Sequence, residues 1–65
     1  MNELNELEKW LNKIIEDNDA FYNYCYEVGD NKNGSSCVSR GVAYKRVLKK
    51  VHTLQRAQKR GENND

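Results

Sequence analysis

The sequence predicts an all-α protein, a two-helix antiparallel hairpin that pairs with a second copy into a four-helix bundle. Three observations carry that prediction. Apolar residues recur at steps of three and four in two long segments, a cluster of turn-forming residues separates the segments, and no proline interrupts either one. The chain has 65 residues, enough for one domain. A lone core of this size rarely supplies more than about 3–5 kcal/mol, so a second subunit is expected to shelter apolar surface that two helices alone leave wet.

The first helix is expected over about residues 2–28. Leu4, Leu7, Leu11, Ile14, Asn18, Phe21, Cys25 and Val28 alternate three- and four-residue steps without a slip, and all but Asn18 are apolar. Asn2 or Asn5 can cap this helix, and Glu3, Glu6 and Glu8 place negative charge in its first turns, where the macrodipole favours it. Trp10 and Ile15 widen the stripe toward more than one neighbour. Asn18 either fixes register or partner number from within the stripe or faces solvent at a bend.

A loop is expected over residues 29–35. It opens with a C-cap candidate, Gly29, contains the turn-prone Asn33-Gly34 pair, and leads to Ser36 as the cap of the next helix. The second helix is expected over about 36–60, where Tyr44, Val47, Leu48, Val51 and Leu54 share one face. Gly41 inside it costs about 1 kcal/mol relative to alanine, which reads as a close helix crossing. Residues 61–65 are polar and aperiodic and are expected to form a disordered tail. Leu4, Leu7, Leu11, Ile14 and Phe21, with Tyr44, Val47, Leu48, Val51 and Leu54, are therefore the expected core and dimer contacts.

Charge is divided between the helices. Residues 1–28 carry Glu3, Glu6, Glu8, Glu16, Asp17, Asp19 and Glu27 against Lys9 and Lys13, a net of −5. Residues 36–60 carry Arg40, Lys45, Arg46, Lys49, Lys50, Arg56, Lys59 and Arg60 and no acid, a net of +8. One reading pairs the two helices within the fold, each exposed pair contributing only about 0.2–1 kcal/mol. In the other, Lys45, Lys49 and Arg56 lie on an outward stripe that contacts an acidic protein or nucleic-acid phosphates.

Phe21-Tyr22-Asn23-Tyr24-Cys25-Tyr26 places four aromatics within six residues. Tyr22, Tyr24 and Tyr26 leave the apolar stripe in different directions, either as a recognition patch at the hairpin tip or as rings that close the core and lie on the surface. Catalytic chemistry is sparse. Nucleophilic catalysis needs a cysteine or serine beside an oriented base, and the single His52 is far along the second helix from Cys37. A structural metal needs three or four ligands at workable spacing, and no Gly-rich loop carries the lysine of a phosphate cradle. The expectation is a non-enzymatic protein with no catalytic residues, cofactor or metal. No basic leader with an apolar run opens the sequence and no stretch reaches the ~18 apolar residues of a membrane span, so a cytoplasmic protein without a membrane partner is expected. In a reducing cytoplasm Cys25 and Cys37 are expected as free thiols, with a bridge across the hairpin as the alternative.

The run Arg40-Gly41-Val42-Ala43-Tyr44-Lys45-Arg46-Val47-Leu48-Lys49-Lys50-Val51-His52-Thr53-Leu54, after a Leu-rich first helix, resembles the G-x-A-x-x-x-V-L-x-K-[IV]-x-x-L second helix of short hairpin accessory proteins from phages and prophages of low-GC Gram-positive bacteria. What that resemblance implies is a coiled-coil-like module that inhibits a host enzyme or antiviral defence protein by stoichiometric binding in the host cytoplasm. The two-helix sporulation-control phosphatases are disfavoured, because the second helix lacks their S-x-E-L-D signature. A nucleic-acid-associated accessory protein and a purely structural oligomerisation module are the alternatives.

Overall fold

A computed structural model describes residues 2–63 as two antiparallel helices, α1 (Glu3–Val28) and α2 (Asn31–Asn63), in a rod of 55 × 18 × 12 Å. The all-α hairpin expected from the periodicity is thus the architecture of the chain. At the start of α1 the Asn2 side chain accepts the Leu4 N–H at 2.8 Å, and Glu3 and Glu6 stand in the first turn. Such a cap contributes about 1 kcal/mol.

The chain reverses in two residues. Gly29 adopts a left-handed backbone, φ 75° and ψ 23°, which a side chain would strain. Its N–H donates to the Tyr26 carbonyl at 3.3 Å and the Asp30 N–H donates to the Cys25 carbonyl at 2.8 Å, the paired bonds of a Schellman ending. Asp30 then caps α2, Oδ1 accepting the Asn33 N–H at 3.1 Å and Oδ2 accepting Asn33 Nδ2 at 2.7 Å.

This corrects the expected loop of 29–35 and the expected start at residue 36. Asp30 takes the capping role assigned to Ser36, and Asn33-Gly34 is wound into the first turns of α2 instead of forming a turn. Gly34 lies against Cys25, with 3.8 Å between an ideal Cβ at Gly34 and the Cys25 Cβ. Part of the expected tail is helical too: residues 61–63 continue α2, while 64 and 65 lie outside the described residues.

Contacts between the helices define one register. Asn2 Nδ2 donates to Gln58 Oε1 at 2.6 Å, Gln55 Nε2 to Asn5 Oδ1 at 3.0 Å, and His52 Nε2 meets Glu8 Oε2 at 2.8 Å. Nearer the tip, Asn18 packs on Gly41 and Cys25 on Gly34. Residues whose numbers add to 59 or 60 therefore stand level with one another along the hairpin. On α2 the seam is Gly34, Cys37, Gly41, Tyr44, Leu48, Val51 and Gln55, an unbroken alternation of three and four whose members are all buried or half-buried.

The α1 seam departs from the expected stripe. Leu4, Leu11, Asn18 and Cys25 belong to both, but Glu8 and Ile15 are drawn inward while Leu7, Phe21 and Val28 are exposed. Among the expected core residues Leu11 and Val51 are buried, Leu4, Ile14, Tyr44 and Leu48 half-buried, and Leu7, Phe21, Val47 and Leu54 exposed. Leu11, Val51, Cys25 and Cys37 are the buried apolar side chains of the described residues.

Asn18 resolves into the inward alternative. Its Nδ2 donates to the Cys37 carbonyl at 2.9 Å, and an ideal Cβ at Gly41 would stand 3.2 Å from the same nitrogen. Gly41 thus marks the close crossing expected of it, held by a cross-helix hydrogen bond.

The glycines give a graded prediction for thermal denaturation. Gly34→Ala adds a Cβ at ordinary contact distance and should raise stability by about 0.5–1 kcal/mol. Gly41→Ala pushes the Asn18 amide by a few tenths of an ångström and so weakens its hydrogen bond to the Cys37 carbonyl, and it should fall short of Gly34→Ala by up to about 1 kcal/mol, the worth of one hydrogen bond. Gly29→Ala should destabilise by about 1–2 kcal/mol, because its backbone is left-handed.

Candidate functional site

Helical geometry gives the hairpin two edges flanking the seam. The first is fixed by grooves that both helices line. Asn18, Asp19 and Tyr22 of α1 face Val38, Gly41, Val42 and Lys45 of α2 across one groove, and Tyr22 and Tyr26 face Asn31, Ser35 and Val38 across the next. These grooves hold about 240 and 250 Å³, below the roughly 300–1,000 Å³ of typical small-molecule sites. They form one continuous tyrosine edge. Along α2 it runs on through Lys49, His52 and Arg56 at three- and four-residue steps.

The structure therefore divides the sequence-derived partner residues. Tyr22, Tyr26, Lys45, Lys49 and Arg56 share the tyrosine edge. Tyr24 does not: its ring stacks on Phe21, centroids 6.3 Å apart and planes 18° from parallel, on the other side of α1. Val38 and Val42 are not among the partner residues expected from the sequence, which offers Val42 as a source of helix propensity or buried area; both are exposed and stand between the tyrosines and the lysines. Their step of four on the flank of the Cys37–Gly41 seam is the pattern that marks them.

The opposite edge carries Leu7, Trp10, Phe21 and Val28 of α1 with Val47 and Leu54 of α2, all exposed, Trp10 by 59%. By the register of the hairpin Leu7 lies within one helical turn of the level of Leu54 and Ile14 within one turn of that of Val47, so the apolar side chains of this tryptophan edge recur one heptad apart.

Charge stays separated in the fold. Among the described residues the ion pairs are Lys13–Asp17 at 3.4 Å, within α1, and His52–Glu8 at 2.8 Å. Neither joins a lysine or arginine of α2 to a carboxylate of α1. Among the described residues, direct lysine–carboxylate or arginine–carboxylate pairing between the two helices is thus not found, and of these pairs His52–Glu8 is the one that crosses the seam.

Cys25 and Cys37 are both free and buried, one on each side of the seam. Arg40 Nη2 donates to Cys37 Sγ at 3.2 Å. Burial pushes the Cys25 thiol up from its ordinary value, with the neighbouring Cys37 and Asp30 adding to the effect and Arg40 opposing it. No group of three or more His, Cys, Asp and Glu side chains among the described residues is placed to hold a metal ion, and no helix there is long and apolar enough to cross a membrane. The chain matches no family model, no curated protein and no solved structure.

The Cys25 environment gives stability a pH dependence. The folded chain holds the thiol proton more tightly than the unfolded chain. The stabilisation is fully present below the unfolded value of 9.0 and is lost as pH rises through the higher folded value. Melting curves at about pH 8 and about pH 10 should show a larger alkaline loss for the wild type than for Cys25→Ala. Equal losses would remove Cys25 as the cause.

Proposed function

We propose that the hairpin is a small non-enzymatic protein-binding module that uses its tyrosine edge to hold an acidic protein surface. The observation that carries this reading is the exposed alignment of Tyr22 and Tyr26 with Val38, Val42 and Lys45 along one side of the hairpin. Tyrosine joins a large apolar area to a polar tip and is enriched among interface hot spots, and lysines beside it, which make no ion pair among the described residues, select a negatively charged partner and speed its approach. The resemblance to phage-encoded hairpins adds a target class: a host enzyme or antiviral defence protein, inhibited by stoichiometric binding in the host cytoplasm.

Nucleic acid is the second reading, favoured by the cations of α2 that make no ion pair with α1. Few side chains on that face could read base edges, so such binding would run through phosphates. Its affinity would then fall by orders of magnitude between about 50 and 200 mM salt.

A tagged chain in a bacterial lysate identifies the partner, which is then titrated in purified form. Tyr22→Ala and Lys45→Glu should each weaken binding by more than about tenfold with helicity unchanged, and Glu16→Ala, on the outer face of α1, should not. Undiminished affinity in both variants would dismiss the tyrosine edge. Tight, salt-sensitive binding to arbitrary duplex DNA, with no protein partner, would favour the second reading.

A further inference from the structure

The tryptophan edge is independent of the surface assigned to the partner, and the geometry points to a second copy of this chain as its occupant. Area is the first argument. A compact protein of 7.6 kDa leaves about 4,300 Å² accessible, whereas this hairpin exposes 5343 Å², a surplus of about 1,000 Å². That surplus is close to the roughly 800 Å² that each partner contributes to a standard specific interface.

The distribution of polarity at the open end is the second. There polar side chains bridge α1 and α2 beside half-buried Leu4, Asn2 with Gln58 and Asn5 with Gln55 in exposed contacts and Glu8 with His52 and Gln55 in part-buried ones. Leu7, Trp10 and Leu54 point away from the seam and are exposed. Apolar area left in water is what association recovers. The outward leucines and tryptophan therefore belong to a larger core, of which this edge is one wall.

Charge decides how the copies are arranged. Setting α1 against α1 of the partner would bring two acidic helices together. Setting α1 against α2 of the partner, by a two-fold axis parallel to the helices, matches acidic with basic and cancels the separation that the hairpin leaves unresolved. That operation also keeps residues at their own level. Leu7 meets Leu54 of the partner subunit, Ile14 meets Val47 of the partner subunit, and both tips lie at one end. The tyrosine edges stay outermost, one on each side of the bundle.

Sedimentation equilibrium at about 100 µM, far above the Kd of a standard-size interface, should return twice the mass of the chain. Leu54→Lys and Trp10→Glu should return a single chain with helical circular dichroism retained. Val42→Lys, on the tyrosine edge, should leave the dimer intact. In a dimer of mixed isotope-labelled and unlabelled chains, filtered nuclear Overhauser spectra should show Leu7–Leu54 and Ile14–Val47 contacts between protomers. A single-chain mass for the wild type would overturn the proposal, and it would leave the tyrosine-edge reading standing if that variant series still abolishes partner binding. Contacts between the two α1 helices would overturn the two-fold arrangement.

Discussion

Gly29 and Asp30 bind everything else in the molecule to one geometry. A left-handed glycine that closes two carbonyls of α1, followed at once by a carboxylate that caps α2, leaves the helices no slack in which to slide. Register is thereby set at the tip and propagates outward, so that Cys25 meets Gly34, Asn18 meets Gly41 and Glu8 meets His52. A seven-residue loop would have permitted several offsets. With two residues, the levels along the rod are determined before any side chain packs, and so is the identity of the residues left on each edge.

The small residues of α2 follow from that closeness. Gly34, Cys37 and Gly41 line the seam nearest the tip, where the backbones approach, and larger Tyr44, Leu48 and Val51 take over farther along. Asn18 uses the gap above Gly41 to reach a backbone carbonyl. Its polarity is satisfied without a charged partner, which is how a polar residue can occupy a helix seam at modest cost.

The helices themselves were legible in the sequence, because the alternation of three- and four-residue steps has no strand counterpart. Harder to read was which apolar residues face the partner helix. Leu7, Phe21 and Val28 share an unbroken stripe with Leu4, Leu11, Ile14, Asn18 and Cys25, yet they are exposed while Glu8 and Ile15 on the other flank are half-buried. A hydrophobic template cannot see this, since Glu8 and Gln55 are seam residues by virtue of hydrogen bonds and not of apolar area. The loop was misplaced for a related reason: Asn33-Gly34 has the composition of a turn, but Asp30 caps first and Cys25 needs a small neighbour. Of the residues proposed to meet a partner, Tyr24 is separated from Tyr22 and Tyr26 by helical angle alone, whereas the placement of Val38 and Val42 beside those tyrosines depends on the register.

The polar rungs at the open end and the buried thiols near the tip also give the rod a gradient. Exposed amide and carboxylate contacts exchange readily with water, while the Schellman ending, Cys25, Cys37 and Leu11 are sheltered. Opening therefore begins where the chain enters and leaves the hairpin and travels toward the turn, as in a zipper whose slider rests at the closed end. Hydrogen exchange would be fastest around Asn5 and Gln58 and slowest around Cys25 and Cys37, so local breathing is directional by construction.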